Sequence, residues 1–166
     1  MLALGIDPGS AICGYGFVEL INGQLIAKEF GVITTSPQAH MQDRLLKIHT
    51  ELDALIKNFQ PQVMGIEKLF FGKNSTTAIT VAQARGVVLL CAAQNNLDII
   101  EITPNEVKQS ITGYGGATKE QVIYMVTKIL NLPAPPTPDD AADALAISIA
   151  AGYEANSLAR RNLLET

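Results

Sequence analysis

Asn22-Gly23 joins two β-rich runs, Gly14–Ile21 and Gln24–Thr35, and this dipeptide is the strongest short-range hairpin signal. Upstream, Leu2–Asp7 reads as a buried strand ending in the turn signal Asp7-Pro8-Gly9-Ser10. Three antiparallel strands therefore open the chain. The pattern then changes period. Ser36-Pro37 starts a helix, with Leu45, Ile48, Leu52, Leu55, Ile56 and Phe59 at helical spacing, and Pro61 ends it. Val63–Glu67 follows as a short buried strand, residues 75–95 as a long, mostly apolar helix, and Asp98–Ile102 as another strand. Thr103-Pro104-Asn105-Glu106 fits a capping box with Pro at the first helical position. A glycine-rich loop, Gly113–Gly116, leads to a second capping-box pattern at Thr118-Lys119-Glu120-Gln121, opening a helix to Leu130. Pro133, Pro135, Pro136 and Pro138 form a stiff connector, and a last helix runs from Asp139 to about Tyr153. The expected architecture is α/β: a mixed five-stranded sheet, three strands antiparallel and the rest parallel, flanked by helices.

At 166 residues the chain has room for one ordinary domain, expected over 1–155, with 156–166 as a C-terminal tail that frays. A hydrophobic share of 48% excludes a disordered chain, which could not offset its ordering entropy. No apolar run approaches the ~20 residues that cross a bilayer. Asp7 and Pro8 occupy the place where a leader peptide would have its apolar centre. Cys13 and Cys91 sit in apolar contexts without CxxC spacing and are expected to be reduced and buried. These features lead to the expectation of a soluble cytoplasmic protein with no membrane partner.

The net charge of −4 speaks against nucleic acid, but its distribution matters more than its sum. From Lys68 to Leu97 there is no acidic residue, whereas Lys68, Lys73 and Arg85 are present. An acidic chain can still present one basic face.

Three segments carry chemistry. Gly5-Ile6-Asp7-Pro8-Gly9-Ser10 and Gly65-Ile66-Glu67 each end an apolar strand on an acid, and a buried carboxylate costs several kcal/mol without a partner. Taken singly, Asp7 equally reads as a turn-former capping its own backbone, and Glu67 as a strand end reaching water. Adjacent parallel strands would bring both acids to the sheet edge where open α/β sheets bind ligands. The third segment is Asp139-Asp140-Ala141-Ala142-Asp143. There Asp140 and Asp143 share a helix face, although capping and the helix dipole also favour Asp at a helix start. Capping accounts for Asp139 or Asp140 better than for Asp143, which lies in the helix body. Four converging carboxylates repel one another unless a cation is bound. All-oxygen ligands favour Mg²⁺ or Mn²⁺, and two such ions about 3.5–4 Å apart suit phosphodiester hydrolysis.

Phe70-Phe71-Gly72-Lys73-Asn74 follows Glu67 directly and suits base stacking with a phosphate contact, or else is a hydrophobic loop tucked onto the core. Lys108, Lys119 and the Gly113–Gly116 backbone can hold phosphates, or simply be solvated. Gly14-Tyr15-Gly16 and Gly113-Tyr114-Gly115 do not complete a dinucleotide fingerprint, and Gly65 to Lys73 is not a P-loop. His40 and His49 have no partner ligands in the pattern.

Together these segments resemble the RuvC family of Holliday junction resolvases, within the RNase H-like superfamily. The resemblance rests on GIDPGS (5–10), GYG (14–16), QPQVMGIEKLFFGKN (60–74), QARG (83–86), VKQSITGYGGATKEQV (107–122) and DDAADALAI (139–147), in the family's order and spacing. It implies Asp7, Glu67, Asp140 and Asp143 as catalytic metal ligands, with Asp139 a rival to Asp140. The metal implied is Mg²⁺, two per subunit, with Mn²⁺ substituting. The resemblance makes Phe70 the base-stacking aromatic and Lys108 and Lys119 DNA contacts; Lys73 and Arg85 join them as DNA-binding residues. It further implies a homodimer that nicks four-way junction DNA in recombination and repair, alongside the RuvAB branch-migration complex. The apolar helix 75–95 is the expected dimer face, unless it is simply a core helix. Competing readings are an RNase H-like nuclease of YqgF type, an actin-like ATP-binding fold and a non-cleaving junction-binding module. The first lacks an explanation for FFGKN and VKQ…GATK, and 166 residues leave no room for the second lobe of an actin-like fold. The third predicts a missing carboxylate, and all four are present.

Overall fold

The computed structural model describes residues 1–68 and 75–164. The elements run β1 (Leu2–Asp7), β2 (Ile12–Ile21), β3 (Gln24–Thr34), α1 (Met41–Phe59), β4 (Val63–Glu67), α2 (Ser75–Gln94), β5 (Asp98–Ile102), α3 (Pro104–Thr112), α4 (Lys119–Ile129) and α5 (Asp139–Leu164). The strands form one five-stranded sheet in the order β3-β2-β1-β4-β5. The first three pair antiparallel, as the Asn22-Gly23 turn requires, and β4 and β5 join parallel to β1.

Strand alternation divides the residues between two cores. Leu2, Leu4 and Ile6 of β1, Cys13 and Phe17 of β2, and Met64 and Ile66 of β4 pack against Ile48, Leu52 and Ile56 of α1 and Ala84, Val88 and Cys91 of α2. Phe17 stacks on Phe59 with ring centroids 4.6 Å apart. The opposite face, with Val18 and Ile102, packs against Val107 and Ile111 of α3, Val122 and Val126 of α4, and Leu145, Ile147 and Ile149 of α5. Cys13 and Cys91 are both free and buried. Among the described residues no helix is long and apolar enough to cross a membrane.

Two helix boundaries differ from the sequence reading. The first helix begins at Met41, not at Ser36-Pro37, because the Ser36 hydroxyl accepts from the Gln38 amide and the Ser36 carbonyl from the Ala39 amide, which closes a turn there. The last helix continues past Tyr153 to Leu164, so α5 takes in residues 156–164. No Gly or Pro interrupts Glu154–Leu164, and nothing local stops the helix there.

Candidate metal centre

In the parallel register Ile6 lies opposite Ile66, so Asp7 and Glu67 end neighbouring strands one residue further on. Leu4 and Ile6 face α1 and α2, and alternation turns Asp7 to the other face, with Glu67 treated alike by Met64 and Ile66. That other face is where α5 lies. A Cβ on Gly5 would strike the backbone of Ala144 and Ser148, one on Gly14 the backbone of Asp140, one on Gly16 Leu145, and one on Gly65 Ala151 and Ile147. These four glycines let α5 rest directly on the sheet, and the Ser148 hydroxyl donates to the Ala3 carbonyl at 2.9 Å. The helix therefore delivers Asp140 and Asp143 to the edge where Asp7 and Glu67 stand. The motifs contain these glycines, but not their role as a seat for α5, which pairs them with residues of a distant, alanine-rich helix.

Electrostatics tie the acids into one group. Burial, then Asp143, Asp140 and Glu67, push the Asp7 carboxyl up from 3.8 to about 7, while Lys119 opposes the shift. Glu67 is raised by burial and by Asp143, with Lys108 pulling the other way. Burial likewise raises Asp143, against the Lys119 ammonium, which donates to its Oδ2 at 3.1 Å. Lys119 also reaches Asp139 at 3.3 Å. Burial lowers Lys119, but these two ion pairs outweigh it and raise the ammonium's pKa. Asp139 is exposed with a side chain 63% accessible, whereas Asp140 is half-buried against Gly14 and acts on Asp7. The geometry thus favours Asp140 over Asp139 as the fourth member.

The surrounding residues form a cleft of about 280 Å³ bounded by Glu67, Lys108, Lys119 and Asp143, with Val107, Val122 and Ile147 as its apolar wall. Two capping boxes fix its rim: Thr103 with Glu106 at the start of α3, and Thr118 with Gln121 at the start of α4. Lys119 is the first residue of α4, placed over α5 by that cap. Arg85 lies elsewhere: its guanidinium pairs with Glu101 and its Nε donates to the Glu67 carbonyl at 3.4 Å. Phe70 and Lys73 lie outside the described residues.

Carboxylate oxygens without His or Cys are the donor set of a hard divalent cation. A cation would also relieve the mutual repulsion that raises Asp7. Among the described residues no three His, Cys, Asp or Glu side chains stand, in their present rotamers, close enough together to hold one ion. Lys119 provides the nearby positive charge.

Antiparallel strands followed by parallel ones, helices on both faces, and acids at the ends of two central strands and the head of the last helix define the RNase H-like class of nucleases. The yeast mitochondrial Holliday junction resolvase Ydc2 shares this fold at a TM-score of 0.68 and 15% identity, over 98% of this chain and 82% of Ydc2. Residues 3–151 match the family described as RuvC, crossover junction endodeoxyribonuclease. This chain belongs to the RuvC family, whose members are metal-dependent hydrolases cutting DNA phosphodiester bonds. A crossover junction endodeoxyribonuclease RuvC from Ruminiclostridium cellulolyticum is 51% identical over 92% of both chains, and one from Caldicellulosiruptor saccharolyticus is 52% identical over 90% of both. The Thermus thermophilus RuvC structure superposes with a TM-score of 0.88 at 33% identity, covering 95% of this chain and 96% of that one. The T. thermophilus RuvC in complex with Holliday junction substrate does so at 0.87 and 31%, with the same coverage.

Proposed function

We propose that this chain resolves four-way DNA junctions by paired nicks, using Asp7, Glu67, Asp140 and Asp143 to hold two Mg²⁺ ions, with Mn²⁺ able to substitute. The observation that carries the reading is the electrostatic grouping of these acids at one sheet edge, beside two lysines. When bound, the two ions supply an activated water and stabilise the leaving oxygen. Asp7, central in the sheet, would hold the ions together with Glu67 and the α5 acids Asp140 and Asp143. Lys108 and Lys119 border the acids and hold the phosphates of the strand being cut, with Lys119 also keeping Asp143 and Asp139 in place. Phe70 stacks on a base and Lys73 contacts the backbone beside it.

Symmetric cuts need two sites, which a twofold dimer supplies. The outward face of α2 suits that contact, because Ile79 is 61% exposed, Leu90 54%, and Gly86 lies open between them. Arrival with a RuvAB branch-migration complex would place the dimer on its substrate.

The decisive assay compares a synthetic four-way junction with linear duplex, in Mg²⁺ or in EDTA, for the wild type and Asp7→Asn. Paired, metal-dependent nicks on the junction that disappear in the variant are expected. Tight junction binding without cleavage would leave a structure-specific binder. Equal cutting of duplex would make it a different RNase H-like nuclease.

A further inference from the structure

Arg85 extends the basic, acid-free stretch of the sequence, yet its side chain is only 14% exposed and points into the protein. From α2 it reaches two strands at once. Its Nε donates to the Glu67 carbonyl at 3.4 Å, and its guanidinium forms an ion pair with Glu101 on β5. A further bond closes the same corner, since the Lys68 amide donates to the Ile102 carbonyl at 2.8 Å. Glu67 lies opposite Ile102 in the β4–β5 register, so both bonds fall where β4 ends, on the Glu67 carbonyl and the Lys68 amide that follows it. A carboxylate at a strand end swings with its backbone, and a carbonyl held by a planar guanidinium fixes that backbone.

We propose that Arg85 is a positioning residue for Glu67: by clamping the end of β4 to α2 and β5, it aims that carboxylate toward Asp7 and Asp143. This rests on the metal-centre reading above. Arg85 then acts through Glu67 and touches no DNA. Partners standing behind a metal ligand typically change metal affinity 10–100-fold when removed.

The test measures Mn²⁺ affinity of the DNA-free protein by electron paramagnetic resonance, together with junction affinity in EDTA, for Arg85→Gln, Arg85→Lys and Glu101→Gln. Arg85→Gln is expected to weaken Mn²⁺ binding about tenfold, leave junction affinity unchanged, and restore nicking when Mg²⁺ is raised in proportion. Arg85→Lys keeps the charge without the fork and should fall between it and the wild type. Glu101→Gln, at a half-exposed carboxylate, should fold normally and show a smaller loss, since the Glu67 carbonyl keeps its donor; it carries the test should Arg85→Gln fail to fold. Lower junction affinity with unchanged Mn²⁺ binding would overturn the proposal and make Arg85 a DNA contact. Unchanged values for both in all three variants would overturn it as well. A wild type without Mn²⁺ binding would instead remove the metal centre, and the proposal with it.

Discussion

Asp7 carries the sharpest conflict in the molecule, because its side chain is inside a group of like charges and its carboxyl is pushed up to about 7. A folded pKa above the ordinary 3.8 means that the folded state holds this proton more tightly than the unfolded chain does. The metal-free protein should therefore lose stability as pH rises from about 4 to about 7, with the loss complete above that. Asp7→Asn removes the charge while keeping the shape. We expect it to raise metal-free stability by about 2 kcal/mol at pH 8 and by much less at pH 5, visible as a shift of several degrees in thermal melts in EDTA. A variant less stable than wild type at pH 8 would contradict this account. Metal binding runs the other way, because a cation needs the carboxylates ionised. Mn²⁺ affinity of the wild type should rise from pH 6 to pH 8, and titrations at the two values check it. Lys119→Met should exaggerate the rise, since that ammonium opposes the upward shifts of Asp7 and Asp143.

Among elements, α5 decides whether the site exists, and glycines decide where α5 lies. Gly5→Ala puts a methyl into the backbone of Ala144 and Ser148, which must retreat together with Asp143. A loss of about 3 kcal/mol is expected from such overpacking, along with a larger fall in nicking than the stability change explains. Chemical denaturation and junction cleavage on the same preparations separate the two effects. This seat was the part of the site that the sequence hid. The hairpin at Asn22-Gly23 and the caps at Thr103 and Thr118 were legible because each is decided within a few residues. The convergence of Asp7 and Glu67 was legible because two apolar strands end on acids, and pairing plus alternation does the rest. The fit of Gly5, Gly14, Gly16 and Gly65 to Ala144, Asp140, Leu145 and Ile147 pairs residues more than seventy positions apart, which no local pattern encodes. The inward turn of Arg85 was hidden for the same reason: its partners, Glu67 and Glu101, sit on different strands. The start of α1 was misplaced by a local ambiguity, since Ser caps turns as readily as helices.

At the scale of the whole molecule, α2 has one face in the core and one in solvent. Ala84, Val88, Cys91 and Ala92 are buried, while Ile79, Gly86 and Leu90 look outward and Leu46 of α1 is 64% exposed. A helix without acids that leaves two large aliphatic side chains in water is costly unless something covers them, and a second copy offering the same face is self-complementary. Gly86 makes the idea testable, because a Cβ there meets nothing within 4 Å in the single chain. In an isolated subunit Gly86→Ala can only help, by about 1 kcal/mol of helix propensity. If two α2 helices pack closely at Gly86, the same methyl must push them apart. Gly86→Ala should then raise the melting temperature of dilute subunits while weakening self-association, and Leu90→Asp should abolish association without unfolding the subunit. Thermal melts of dilute protein measure the gain in subunit stability, and sedimentation velocity across a concentration series measures self-association in both variants. The paired nature of the cuts gives a second readout of association, since a monomeric Leu90→Asp subunit would nick one strand of a junction and release it before the other is cut. A Gly86→Ala protein that associates as tightly as wild type would place the dimer contact elsewhere on the surface.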